Sequence, residues 1–373
     1  MLKQIIRTNQ FPIHKKALSI IKYLYYYAVS TILYKRHLKK MKENGLNITT
    51  LDRNDIETYK KYWKSFHRNI ETDTIHIVHT LSGIFDKRII PENIFFSDIE
   101  LTLNHSKSKY FLVNKSIYNR WYKTRLFPKD YLHKLNNKFY DSAFDEIGNS
   151  DALNNNLQQI KFPVVLKPNI DTSGGKNIFF VNNLTELKEK MPLLDSYVVQ
   201  EKLMQHAFFS AITNTHTVRV CLYKSVKDNQ THILNMALRM GKDGSLDNDG
   251  AGGIALSINE KTGEAGGTAY NKYGSKYNEH PNSNVKFDFT IPHFDALRFN
   301  SLEICRNIIE LRIISLDMFL DNNNEWRVIE VNLYGHSIRF AQYFGKPFFG
   351  EFTEEVKEYC LANHWAFQDQ KLM

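Results

Sequence analysis

Residues 314–332 read ISLDMFLDNNNEWRVIEVN. Two alternating apolar runs flank a polar turn over 322–325, which is the pattern of an antiparallel hairpin with a four-residue loop. In that register Asp317 stands opposite Glu330. Asn332, two residues further along the strand, projects from the same face as Glu330, while Leu316, Met318, Ile329 and Val331 pack behind. Two facing carboxylates repel each other, and a divalent cation removes that penalty. Mg2+ takes a few protein oxygens and leaves its other positions to water and phosphates. Asp317, Glu330 and Asn332 are therefore candidate metal ligands, although a solvated polar sheet face would carry the same residues.

A second segment, FPVVLKPNIDTSGGKNIFFV at 162–181, reads as strand, glycine loop, strand. Lys167 places an ammonium group on an otherwise apolar strand, where it needs an anionic partner. In the loop, Ser173, Gly174, Gly175 and Lys176 are small or basic, so backbone amides can approach phosphate oxygens closely. The spacing matches neither a P-loop nor a dinucleotide fingerprint, and a plain hairpin turn would look similar. Further on, SYVVQEKLMQH at 196–206 is an apolar strand ending in polar residues. Such a strand offers apolar walls and backbone edges to a purine, or forms an ordinary sheet edge.

The rest of the chain sets bounds. A sequence of 373 residues, 42% hydrophobic and 24% charged, is that of a globular protein with more than one domain. A net charge of +9 favours anionic partners without choosing among them. Cys221, Cys305 and Cys360 are far apart and lack metal-ligand spacing, which argues against a disulfide framework or zinc site and fits a reducing compartment. No secretory signal is expected. Residues 17–34, ALSIIKYLYYYAVSTILY, followed by the basic run to Lys42, predict either a helix packed on the protein or an interfacial helix in peripheral contact with a membrane over 17–42.

Three zones are expected: a helical region over 1–70, a small α/β unit over 71–115 built around the apolar runs 75–78 and 94–96, and the remainder from 116 to 373. Within that remainder strands are predicted at 163–167, 177–181, 197–203, 217–226, 231–240 and 252–258, with a helix near 295–312. The polar stretch 259–289 reads as a long loop or flap.

The order of lysine strand, glycine loop, QEKL strand and acidic hairpin ending in Glu-Val-Asn resembles the ATP-grasp superfamily. TVRVCLY, ALRMG and SLDNDGAGGIALSI within 217–258 sharpen this to a resemblance to the sugar-transfer-associated ATP-grasp family, over about 110–345. The resemblance implies an α/β (α+β) ATP-grasp fold with a small pre-ATP-grasp unit at 71–115, a nucleotide lid at about 116–205 and a catalytic subdomain at about 206–373. It assigns Lys167 and the loop Ser173, Gly174, Gly175, Lys176 to the phosphates of ATP. Gln200, Glu201, Lys202 and Leu203 fall at the adenine, with His206 near the ribose. Arg219 and Arg239 fall beside the terminal phosphate as catalytic groups, and Asp317, Glu330 and Asn332 hold one or two Mg2+ ions, with Mn2+ as a substitute. Asn248, Gly252, Gly253, His336 and Arg339 are candidate substrate contacts.

The implied activity is an ATP-dependent carboxylate–amine ligation through an acyl-phosphate, releasing ADP and phosphate. A sugar carboxylate and an amino acid or amine are the implied substrates, in capsule or other surface polysaccharide synthesis in the cytoplasm. An ATP-grasp kinase acting on a sugar hydroxyl is the alternative. A basic nucleic-acid-binding protein is a second, with no nucleic acid expected as partner under the ligase reading.

Overall fold

The computed structural model describes residues 2–7, 12–170, 177–244 and 252–372, with side chains to residue 369. It combines helices with two antiparallel sheets. The smaller sheet contains β1 (Asp130–Leu135), β2 (Lys138–Asp141), β3 (Val164–Pro168), β4 (Phe179–Val181) and β5 (Tyr197–Glu201), ordered β2-β1-β5-β3-β4. β1 and β2 were not foreseen. They meet at a two-residue turn, Leu135 pairing with Lys138, and Asn136 and Asn137 both take positive φ, at 49° and 62°. Asparagine tolerates that conformation better than most residues, so the Asn-Asn pair is the local cause of the hairpin. Helices Ser150–Gln158 and Leu184–Lys190 begin on Asn149 and Asn183, whose side chains accept from the amides of Ala152 and Glu186. Leu157 and Leu187 from these helices pack with Leu132, Val164, Leu166 and Val199 of the sheet.

The larger sheet contains β6 (His216–Lys224), β7 (Thr231–Met240), β8 (Ile254–Ile258), β9 (Ala265–Asn271), β10 (Lys276–Tyr277), β11 (Ile313–Leu320) and β12 (Trp326–Asn332), ordered β10-β9-β8-β7-β6-β11-β12. The expected loop over 259–289 is thus partly strand. β9 lies against β8 through a register shift between Leu256 and Ile258. At Gly266 a Cβ would sit 3.1 Å from the Ser257 carbonyl oxygen, so the glycine that reads as loop permits a close strand approach. The β11–β12 hairpin forms with Asp317 opposite Glu330 as expected, but on the turn side the register shifts by one residue, so that Met318 pairs with Val328 and not with Ile329. Its connection is one residue longer than expected, because Asp321 leaves the strand and its carboxylate accepts the amides of Asn323 and Glu325 at 2.9 and 3.0 Å.

Alternation divides this sheet into two faces. Val218, Val220, Leu238, Leu256, Leu316 and Met318 point toward helix Phe294–Cys305 and its Leu297 and Ile304. The opposite face carries Cys221, Tyr223 and Ile313, which pack on Trp63, Ile75 and Phe95 of an N-terminal helical layer. That layer comprises helices Ile13–Glu43, Arg53–Trp63 and Asp73–Ser82, and a helical run over 92–103 with a π-turn at Phe95–Ile99. The 71–115 region is helical among the described residues, not a mixed unit. Runs as short as 75–78 and 94–96 do not fix a period, and both lie within helical segments, Asp73–Ser82 and the run over 92–103. No helix is long and apolar enough to cross a membrane among the described residues.

Candidate functional site

The helical layer covers only part of the second sheet face. The remainder gathers charge. Arg219 on β6 pairs in register with Asp317 on β11, and their side chains form a bidentate ion pair whose second contact, Nη2 to Oδ2, is 2.9 Å. From β7, Arg239 Nη2 approaches the same Asp317 Oδ2 at 3.0 Å, and its guanidinium also donates to Thr217 Oγ1 at 2.8 and 3.0 Å. The register shift after Asp317 leaves Ile329 unpaired in β12, and the Ile329 carbonyl accepts from Lys167 Nζ of β3 at 3.3 Å. Lys115, at the start of a short turn preceding the small sheet, reaches Glu330 Oε1 at 2.7 Å. The bulge therefore brings the two sheets together where, among the described residues, four cations, Lys115, Lys167, Arg219 and Arg239, meet two carboxylates, Asp317 and Glu330.

Proton affinities reflect this imbalance. Burial, helped by neighbouring Lys115, pushes the Lys167 ammonium down to about 8, against the pull of Glu330 and Asp130. For Asp317, burial alone would raise the carboxyl, but Arg219 and Arg239 outweigh it and hold the group below the usual carboxylate range. Asp130 on β1 is pushed up to about 6 by burial, although Asn119 and Gln200 donate to it at 2.9 and 2.7 Å. A buried, positively charged surplus of this kind suits an anion with several oxygens.

The three expected metal ligands differ in fit. Glu330 and Asn332 offer hard oxygen donors on one strand face, and Asn332 Nδ2 is buried with no hydrogen-bond partner among the described residues. Amide nitrogen and oxygen are interchangeable in assignment, and the flipped amide would aim an acceptor at that position, as a cation requires. Asp317 is placed differently from the expectation: both its oxygens face guanidinium groups. Among the described residues no group of three or more His, Cys, Asp or Glu side chains is arranged to hold a metal.

The other expected residues divide. Gln200 is buried, its amide donating to Asp130 at 2.7 Å, and its Oε1 has no partner among the described residues. Glu201 Oε1 accepts from the Lys129 amide and from Arg327 Nη2, both at 2.9 Å. The Lys202 amide donates to the Pro163 carbonyl at 3.3 Å, and its ammonium lies 5.3 Å from the Phe180 ring centre. Leu203 follows the strand end half-buried. His206 caps the short helix Ala207–Ser210 through Nδ1, and its Nε2 lies 2.9 Å from Asn324 Oδ1 on the hairpin loop. Ser173, Gly174, Gly175, Lys176 and Asn248 lie outside the described residues. Gly252 is exposed with φ 98°, and Gly253 is buried before β8.

His336 and Arg339, expected as candidate substrate contacts, both have partners within the protein. His336 is buried, its Nδ1 2.6 Å from Glu100 and its Nε2 3.1 Å from the Asn332 carbonyl. Arg339 forms a bidentate pair with buried Glu92 at 2.7 and 2.8 Å. Both tie the segment following Asn332 to the 92–103 helical run. Sequence reading missed Lys115, Asp130 and Glu100, because each is a lone charged residue in a segment without periodic pattern. The one available signal was burial of a charge, which a sequence does not display.

The family model described as sugar-transfer associated ATP-grasp matches residues 184–356. Among solved structures, an L-amino acid ligase from Bacillus licheniformis is similar at 13% identity and a TM-score of 0.39, covering 66% of this chain and 48% of that one. N5-carboxyaminoimidazole synthetase from Staphylococcus aureus, complexed with ADP, is similar at 12% identity and a TM-score of 0.40, covering 62% and 50%. N5-carboxyaminoimidazole ribonucleotide synthetase from Thermotoga maritima is similar at 11% identity and a TM-score of 0.40, covering 68% and 50%. The chain thus spans about half the length of these structures. No curated protein matches it. The similarity to the sugar-transfer associated ATP-grasp family thus lies in residues 184–356, a little under half of the chain.

Proposed function

We propose that this protein is an ATP-dependent carboxylate–amine ligase that joins an amino acid or amine to a sugar carboxylate in surface polysaccharide synthesis in the cytoplasm. The observation that carries the reading is the convergence of Lys115, Lys167, Arg219 and Arg239 on one buried site shared by the two sheets. Lys115 and Lys167 bind the phosphates of ATP, and the backbone at Lys202 and Leu203 lines the adenine. Glu330 and Asn332 would hold Mg2+, which would supply neutralisation of phosphate charge when bound.

In the first step a carboxylate oxygen of the sugar acid attacks the γ-phosphorus. The bond from that phosphorus to the β–γ bridging oxygen breaks, and ADP leaves. In the second, the amine nitrogen attacks the acyl carbon, the carbon–oxygen bond to phosphate breaks, and the nitrogen loses a proton. Negative charge moves onto the transferred phosphoryl group and the acyl oxygen, where Arg219 and Arg239 stabilise it. Asp317 keeps both guanidiniums aimed and is a positioning residue. Cys221, Cys305 and Cys360 are buried and each thiol is pushed up by burial, so none supports a covalent acyl-enzyme route.

The test is to supply hydroxylamine in place of the amine, with ATP, Mg2+ and a panel of sugar acids. A hydroxamate that requires all three components supports the ligase. A stable phosphorylated sugar with no hydroxamate and no amide overturns it in favour of a kinase.

A further inference from the structure

The helix Ile13–Glu43 is 31 residues long, roughly 46 Å at the usual rise per residue. Its inner face is accounted for: Tyr23, Ser30, Tyr34, His37, Leu38 and Met41 are buried against the body of the protein. Its outer face is not. Leu18, Ile21, Tyr25 and Ile32 recur at intervals of three, four and seven, so they share one side of the helix. They are 41%, 64%, 62% and 50% exposed, with Leu33 beside them at 56%. Scattered exposed apolar residues are ordinary, but a stripe of large ones along four turns is not. The stripe then continues at the same spacing into Lys35 and Lys39, flanked by Arg36 and Lys40, all exposed.

The charge on this helix is one-sided. Lys15, Lys16, Lys22, Lys35, Arg36, Lys39, Lys40 and Lys42 lie within residues 13–43, and Glu43 is the sole acid there. Lys22 is paired with Asp369, and Lys39 with Glu43 at 3.7 Å in a largely exposed contact. An apolar face bordered by cations, on a helix too polar to cross a bilayer, is the composition of a helix that lies in the interface. Self-association through the same stripe is opposed by that charge. Parallel pairing of two copies sets Lys35 and Lys39 against their own counterparts, and antiparallel pairing sets them against the end carrying Lys15 and Lys16.

We propose that the outer face of helix Ile13–Glu43 docks on an anionic lipid bilayer. Leu18, Ile21, Tyr25 and Ile32 enter the boundary between headgroups and acyl chains, and Lys35, Arg36, Lys39 and Lys40 contact the acidic headgroups. The assignment does not depend on the ligase chemistry, because none of these residues belongs to the nucleotide site.

The experiment is co-sedimentation of the full chain with vesicles of phosphatidylcholine alone or mixed with phosphatidylglycerol. The expected result is binding to the mixed vesicles that weakens as salt rises, with little binding to the neutral ones. The triple variant L18S, I21S, I32S is expected to lose at least about tenfold in binding, as is K35Q, R36Q, K39Q. All six side chains are exposed, so thermal unfolding should be unchanged; if the apolar variant nevertheless misfolds, the charge variant and the salt dependence of the parent decide. Equal binding to both vesicle types, no binding to either, or well-folded variants that bind like the parent overturns the proposal. So does a concentration-dependent dimer in sedimentation velocity that L18S, I21S, I32S abolishes while vesicle binding stays unchanged, since the face would then belong to a second copy.

Discussion

Asp317 and Asp98 are both buried carboxylates held among nitrogen donors, and their surroundings differ in one respect. Asp98, in the π-turn of the helical layer, accepts from His67 Nε2 at 3.0 Å and from His364 Nε2 at 3.0 Å, with Ser97 Oγ also bonded to it. A carboxylate can only accept, so both imidazole nitrogens donate to it. Tyr23 of the long helix stacks on His67 and lies edge-on to His364, closing the knot. Donors and acceptors there are matched within the protein. Among the described residues around Asp317 and Glu330, by contrast, cations outnumber the anions they face, and Lys167 is held below its ordinary proton affinity. A buried carboxylate surrounded by its full complement of donors stabilises a fold; a buried surplus of cations is costly until an anion arrives, so it marks a binding site.

The comparison breaks most readily at Glu330. Glu330→Gln keeps the volume and removes the charge from Lys115 and from the proposed cation, so Mg2+-dependent turnover should fall about 100-fold or more while the unfolding temperature stays near that of the parent. Turnover measured by ADP release checks it. A variant with parental turnover places Glu330 among the merely structural carboxylates. The mirror-image result is expected at Asp98. Asp98→Asn presents an amide hydrogen to two histidine donors and should cost about 3–5 kcal/mol in urea unfolding. Turnover of the remaining folded protein should be close to parental. For the parent, burial works against the Asp98 charge but His364 and His67 outweigh it, so its carboxyl lies below the usual range. Its stabilisation is therefore complete above the unfolded carboxylate range and is lost as pH falls through the folded value.

How much of this was legible in the sequence follows the same division. The pairing of Asp317 with Glu330 was legible, because alternation on either side of the turn buries Leu316, Met318 and Val331 together, whereas the one-residue shift on the turn side was not. Lys167 stood out as a charge on an apolar strand, and its placement across from Ile329 follows from the bulge in β12, which no pattern announces. The β1–β2 hairpin was hidden because Tyr131, His133 and Lys134 blur the alternation and the Asn-Asn turn lacks the glycine that usually signals it. The knot around Asp98 joins residues 23, 67, 98 and 364, and long-range polar matching of that kind has no local signature. The pairings of Arg339 with Glu92 and of His336 with Glu100 were hidden for the same reason.

The smallest effect sharpens the comparison, because it reads the surplus charge directly. Lys167 titrates at about 8 in the unliganded site, where burial and Lys115 disfavour the ammonium. Below that pH it is charged and costs stability; as pH rises through 8 toward its ordinary range the folded state is relieved of that cost, so stability rises with pH as it does for Asp98, although here the charge costs stability where the Asp98 charge supplies it. Phosphate oxygens restore the preference for the ammonium, so nucleotide binding must raise its proton affinity. Two consequences can be measured by calorimetry. ATP affinity should be level below about pH 7 with respect to this group and then fall above pH 8, by no more than about tenfold per pH unit, the limit for one linked proton. At pH 8 binding should take up roughly half a proton, seen as a dependence of the observed heat on the ionisation enthalpy of the buffer. Lys167→Met should lower affinity about 30-fold at pH 7 and remove both the slope and the uptake. If the slope survives the substitution, the linked proton belongs to another group, and Lys167 is not the cation that meets the phosphates.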